Sequence, residues 1–201
     1  MKKVIVVGAT GTIGQGVCDT LQNHGYEVVK VSRSGDIEVD IADLNSIKAM
    51  YDKIGSFDAL VSTTGKVTFK ALTEMTVADF MLGLHNKLMG QVNLVQEGLK
   101  YINDNGSFTL TTGILNQEPI ALGASAAMVN AALEGYIKAA SLELRQQVRI
   151  NAVSPTVITE ALASYAPFFP GFKSVSVHEA AQAYLRSVAG IEIGKVFKVG
   201  F

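Results

Sequence analysis

The chain has 201 residues, 48% of them hydrophobic, which suits one compact domain with a sizeable core and leaves no room for two. Lysine and arginine number 17 against 18 acidic residues, so a broad basic surface for nucleic acid is excluded as a partner site. Cys18 is the single cysteine, which excludes an internal disulfide and a thiolate metal site and fits a cytoplasmic setting; no apolar run approaches the ~18 residues of a membrane span, so no membrane partner is expected.

The first predicted element is a strand, "VIVV" at 4–7, running into the turn "GATGTIG" and a helix over 12–24. Gly8, Gly11 and Gly14, with Thr10, Thr12 and Ile13 between them, stand where a strand meets a helix. There the missing Cβ lets the chain turn sharply and approach a pyrophosphate, whose charge the helix N-terminal N–H groups favour. The spacing is GxxGxxG and not the GxGxxG dinucleotide fingerprint, and tight packing is the alternative reason for these glycines.

The second strand, "EVVKVS" at 27–32, ends in Ser32, Arg33 and Ser34. At this place an acidic side chain accepts from a ribose 2′-hydroxyl, whereas an arginine accommodates a 2′-phosphate. A guanidinium between two hydroxyls matches a phosphate dianion and predicts NADP(H), with NAD(H) as the lesser alternative. A solvated surface arginine is the other reading, and nearby Asp36 opposes phosphate. Only "RSGD" separates this strand from "IEVDI" at 37–41. A parallel crossover normally needs about a dozen residues, so 37–41 is read as a short edge segment rather than a full parallel strand.

Further along come a helix over 43–54, a strand over 59–63, a helix over 76–103, a strand over 107–111, a helix over 123–146, a strand over 148–153, a helix over 178–189 and a strand over 195–199. Strand and helix in alternation predict an α/β fold with one doubly wound, Rossmann-type parallel sheet covered on both faces. Gly25, Gly55, Gly106 and Gly190 fall at helix ends as C-terminal caps. The interval 160–177 carries Tyr165, Phe168, Phe169 and Phe172, which suit an apolar pocket cover, a dimer contact or core packing equally. His24 and His178 read as surface or capping residues.

Several of these stretches together resemble the short-chain dehydrogenase/reductase family. "GATGTIG" resembles its glycine loop, and "VDIAD" the segment whose aspartate, here Asp40 followed by Ile41, meets the adenine. "VSTTG" is similar to the family's NNAG turn, with Thr63 and Thr64 in place of the asparagines before Gly65. "NKLMGQVNLVQ" resembles the NLxGxxxxxQ helix, which makes Asn86 the counterpart of the family's proton-relay asparagine and gives its neighbour His85 no motif role. "RINAVSPTVITEAL" is similar to the loop beside the nicotinamide, contributing Pro155, Val157 and Thr159. The likeness covers nearly the whole chain.

The resemblance breaks in "GASAAMVNAALEGY". Family members carry Tyr-x-x-x-Lys before A-A-L-x-G, spaced so that both side chains share one helix face. Aligning "AALEG" puts Ala126 at the tyrosine and Asn130 at the lysine. A methyl group moves no protons, and an amide binds ribose without supplying charge. Tyr136 and Lys138, at about 100° per residue, point away from that face. The family's third catalytic residue, a serine, corresponds to Thr112, or to Thr111 if the loop is one residue shorter; β-propensity alone is the competing reason for a threonine. Lys66, after the "TTG" turn at the sheet's C-terminal rim, is the candidate substitute proton source, with a solvated loop lysine as its other reading.

The resemblance implies an oxidoreductase that transfers hydride between NADP(H) and a small carbonyl or alcohol, with Asn86, Thr112 and Lys66 as catalytic candidates. Two alternatives stay open: a non-catalytic NADP(H)-binding sensor that has lost its dyad, and a scaffold. The long helices are expected to form a homo-oligomer, and no metal is expected.

Overall fold

In the computed structural model, which describes residues 1–145 and 147–201, seven strands form one sheet in which every pairing is parallel. They are β1 (Lys3–Val7), β2 (Glu27–Ser32), β3 (Ile37–Glu38), β4 (Phe57–Ser62), β5 (Ile102–Thr111), β6 (Arg149–Pro155) and β7 (Val196–Val199), in the spatial order β3-β2-β1-β4-β5-β6-β7. From β1 the chain winds outward to one edge through β2 and β3, then returns to wind outward the other way from β4. This is the doubly wound arrangement expected from alternating strands and helices.

Strand alternation explains the two layers of core. Ile5 and Val7 of β1 face α2 (Leu44–Ile54), α4 (Gly90–Gly98) and α5 (Ala124–Ala140), whereas Val4 and Val6 face α1 (Thr12–Asn23) and α7 (Val177–Ala189). On the first face Tyr51 is fully buried, stacks on Phe57 and Tyr101 at 5.6 and 5.3 Å, and donates from its hydroxyl to Leu94 O, tying α2 to α4. On the second face Val17, Cys18 and Leu21 of α1 pack with Ala180, Ala181 and Tyr184 of α7. Short α3 (Val77–Gly83) precedes α4, and α6 (Leu162–Tyr165) lies in the segment after β6.

The edge at 37–41 is short, as its four-residue connection requires, yet it does pair in parallel. Ile37 and Glu38 align with Val31 and Ser32, the last residues of β2. The chain therefore only loops out at the rim and turns back, and needs no crossover helix along the strand's length.

The stretch 76–103 departs from the expected single helix. Residues Leu84–Met89 form a π-helical turn between α3 and α4, and helix ends at Gly98. Tyr101 then packs on Tyr51, and Ile102 pairs with Phe57, so β5 begins five residues before the expected 107. Gly106 is thus a buried residue inside a strand and not a helix cap. Gly25, Gly55 and Gly190 do sit at helix ends. The helix expected over 123–146 ends at Ala140, and its last expected residue, Gln146, lies outside the described residues.

Candidate active site

The parallel strands deliver their C-terminal ends to one rim, and the loops after β1 and β4 part there because the chain winds in opposite directions from these neighbours. The result is a cleft of two hollows, about 560 and 360 Å³, which share Gly11, Thr63, Thr64, Gly65 and Tyr165.

The three glycines of the first turn have different reasons for lacking a side chain. At Gly8, with φ +88°, a Cβ would lie 2.9 Å from Thr63 Oγ1, and at Gly14 it would lie 2.1 Å from Gly8 O. Both are demanded by packing, and Gly14 is buried beneath the turn, away from the cleft. At Gly11, φ is −77° and a Cβ would meet only Gly8 O, at 3.4 Å. The fold itself does not require glycine there, but Gly11 lines both hollows, so a side chain would stand in the cleft. It is also the N-cap of α1, with no side chain occupying the first amides.

The larger hollow gathers Gly8, Thr10, Gly11, Ser32, Arg33, Asp40, Ile41, Thr63, Thr64 and Gly65. Arg33 is exposed and makes no ion pair among the described residues. Asp36 lines a separate depression with Ser46 and Lys53, whose Nζ donates to Asp36 O at 2.8 Å, so it does not face the Arg33 side chain's hollow. Ser34 is outside the hollow too; its backbone N–H donates to Ser32 Oγ.

Asn86 and Lys66 belong to this larger hollow rather than to the neighbourhood of Thr112. Asn86 Oδ1 accepts from the Lys66 backbone N–H at 2.7 Å, which makes it a fastener of the loop after β4. The structure therefore separates two of the three expected catalytic residues from the third.

The smaller hollow collects Thr12, Ile13, Thr112, Ala126, Asn130, Pro155 and Val157 under an apolar cover that includes Phe69, Tyr165 and Phe169. Phe69 packs edge-on to Tyr165 and beside Phe168; of the aromatic interval after β6, Tyr165 and Phe169 cover the pocket, while Phe169 and Phe172 also pack on the small core cluster of Ile114, Leu115 and Ala126. Thr159 lies outside, bonded through its hydroxyl to Ser174 at 2.9 Å where the covering segment is pinned. Ala126 and Asn130 are both buried, one turn apart on α5. Thr111 spends its hydroxyl on Ser62 O and Tyr184 OH, both at 2.6 Å. Thr112 directs its hydroxyl toward Glu134, at 3.5 Å, and presents its carbonyl elsewhere.

That carbonyl meets a residue the sequence reading missed. Lys87 Nζ donates to Thr112 O at 3.0 Å and to Asn130 Oδ1 at 2.7 Å. Asn130 Nδ2 in turn donates to Gly113 O at 3.1 Å, which fixes the amide with its oxygen toward the lysine. Lys87 is half-buried, and desolvation lowers its pKa from 10.5 to about 8. Gly65 makes room for its stem: a Cβ there would lie 2.5 Å from Lys87 Cγ. The signal was present in the motif. In NLxGxxxxxQ the asparagine stands three residues before the glycine, and counting back from Gly90, with Gln96 in register, gives Lys87 rather than Asn86.

Comparison with known proteins agrees with this architecture. The family model described as enoyl-(acyl carrier protein) reductase matches residues 8–197. The chain is 25% identical over 179 residues to human L-xylulose reductase, covering 80% of this chain and 73% of that one. Among solved structures, the protein lin1944 from Listeria innocua superposes with TM-score 0.97 at 43% identity, over 99% of this chain and 100% of the other. A small-chain dehydrogenase in complex with NADPH superposes at TM-score 0.88 and 27% identity, over 98% and 96%. The chain belongs to the short-chain dehydrogenase/reductase family of oxidoreductases.

Proposed function

We propose that this chain binds NADP(H) along the cleft and transfers hydride between the nicotinamide and a small carbonyl or alcohol. The observation that carries the reading is the bare floor at Gly11, where the fold leaves room for a Cβ and any side chain would project into the cleft. The open N-terminus of α1 suits a pyrophosphate beside Gly11, Thr12 and Ile13. Ser32 and the guanidinium of Arg33, which has no ion pair among the described residues, line the larger hollow and suit a 2′-phosphate, while Asp40 and Ile41 flank the adenosine end. The solved NADPH complex of a relative supports the same choice. When bound, the cofactor supplies hydride. The chain's residues orient the reactants between Thr112, Pro155 and Val157 and shield them from water with Phe69, Tyr165 and Phe169.

The competing reading, a sensor that binds NADP(H) without turnover, rests on Ala126 and Asn130 standing where the family's tyrosine and lysine are expected. Monitoring NADPH consumption over a panel of small ketones and aldehydes separates the two. Turnover of one or more carbonyls supports the reductase; tight binding with no turnover supports the sensor.

A further inference from the structure

We propose that Lys87 is the proton donor of the smaller hollow, giving a proton from its ammonium to the oxygen of the carbonyl that is reduced there. The inference rests on the reductase reading above and assigns the acid that reading lacks. Among the described residues lining this hollow, only Lys87 and Tyr165 have ionisable side chains. Ala126 provides none, and Tyr165 sits on the exposed covering segment. Lys87 alone is anchored to the floor.

The geometry of its anchoring suits proton transfer. An ammonium has three N–H donors, and two are taken by Thr112 O and Asn130 Oδ1. Both acceptors are held from behind: Thr112 by its backbone N–H to Val153 O, and Asn130 by its Nδ2 to Gly113 O. One proton remains for the hollow that Lys87 lines. After its transfer, the neutral amine keeps two N–H groups for the same two acceptors and turns its lone pair toward the site. The partners are thus satisfied in both protonation states.

The lysine and amide thereby exchange places relative to the family motif. The motif's asparagine position holds Lys87, its lysine position holds Asn130, and the two side chains touch. A cation returns to the site from the opposite helical element.

The carbonyl carbon gains hydride from the reduced nicotinamide as the C=O π bond opens, and the oxygen takes the proton from Lys87. The products are an alcohol, the oxidised cofactor and a neutral amine, which regains its proton from water. Of the charged groups nearby, Glu134 of α5 lies 3.5 Å from the Thr112 hydroxyl and forms no ion pair with Lys87 among the described residues, and Lys66, beyond Gly65, is a like charge. His85 in the same helical turn, and Asp79, Glu97 and Lys138 on α3, α4 and α5, make no contact with its ammonium among the described residues. Burial thus dominates its acidity, which is matched to work near neutral pH.

Three measurements on the intact chain test the role. First, competitive acetylation of the cofactor-free protein, read lysine by lysine by mass spectrometry, should give Lys87 a midpoint near 8, and Asn130→Asp should move it upward. A midpoint in the ordinary lysine range overturns the proposal. Second, Lys87→Met and Lys87→Arg should each lower kcat about 100-fold or more while NADPH Kd changes by less than about threefold. Retained turnover in Lys87→Arg would mean a purely electrostatic role and overturns proton donation, because arginine stays protonated. Third, wild-type reduction should decline above about pH 8, with the limb displaced upward in Asn130→Asp and kept in Tyr165→Phe. If the limb vanishes in Tyr165→Phe instead, the phenol is the acid and the assignment to Lys87 fails. NADPH binding without wild-type turnover overturns both this role and the reductase reading. Wild-type turnover with Lys87→Met equally active overturns the role alone.

Discussion

Replacing Gly11 and Gly14 separately by alanine should give opposite outcomes in stability and cofactor affinity. At Gly14 the new Cβ would sit 2.1 Å from Gly8 O and within 2.9 Å of Gly8 C and Ala9 Cα, all of them backbone atoms. No rotamer relieves such a clash, so the turn itself must move, at an overpacking cost of about 1–3 kcal/mol. At Gly11 the Cβ meets one atom at 3.4 Å and φ is already −77°. Restricting the unfolded chain there contributes about 0.4–1 kcal/mol, and trading glycine for alanine at an N-cap loses a comparable amount. Gly11→Ala should therefore leave the urea midpoint near wild type. Its methyl group enters the space assigned to the pyrophosphate, and an equivalent overpacking cost corresponds to about 5- to 150-fold weaker NADPH binding. Urea unfolding and calorimetric titration of the two variants read these quantities directly. Unchanged NADPH affinity in a well-folded Gly11→Ala would refute the reasoning, as would a Gly14→Ala as stable as wild type.

Arg33→Ala should abolish preference for NADPH over NADH, removing a charge-assisted contact worth about 1.5–3 kcal/mol, as read from paired titrations at one ionic strength. Tyr184→Phe deletes a buried hydroxyl bonded to Thr111 Oγ1 at 2.6 Å and should cost about 0.5–1.5 kcal/mol in urea unfolding without altering cofactor affinity. Cys18 is fully buried, with its thiol pKa raised by desolvation to about 11, so it should resist iodoacetamide at pH 8 until urea unfolds the chain. Because that folded pKa lies above the unfolded one, the thiol's contribution to stability is complete below pH 9.0 and declines as pH rises toward 11.

Much of the fold was legible because it depends on local patterning. Short runs of β-branched residues marked β1 and β2, and β2 spans the expected 27–32. The start of β5 was not legible, since "INDNG" has weak strand propensity and is drawn into the sheet by Tyr101 stacking on Tyr51 and Ile102 pairing with Phe57. The larger hollow follows a contiguous sequence logic, with residues after β1, β2 and β4 delivered to one rim. The smaller one depends on the depth at which a side chain enters from α4's side. There the π-helical turn Leu84–Met89 and one residue of motif register decide that Lys87, and not Asn86, reaches Asn130. Neighbouring residues in such a turn point in different directions, so a displacement of one position exchanges a loop fastener for the site's half-buried cation.

The central claim, that the cleft is built for a 2′-phosphorylated nicotinamide dinucleotide, is tested most directly by titrating the purified wild-type chain with NADPH and NADH in one buffer by calorimetry. The account predicts binding of NADPH at one site per chain, with NADH at least about tenfold weaker, as a single charge-assisted contact requires. Equal affinity for the two, or no heat with either, would contradict it.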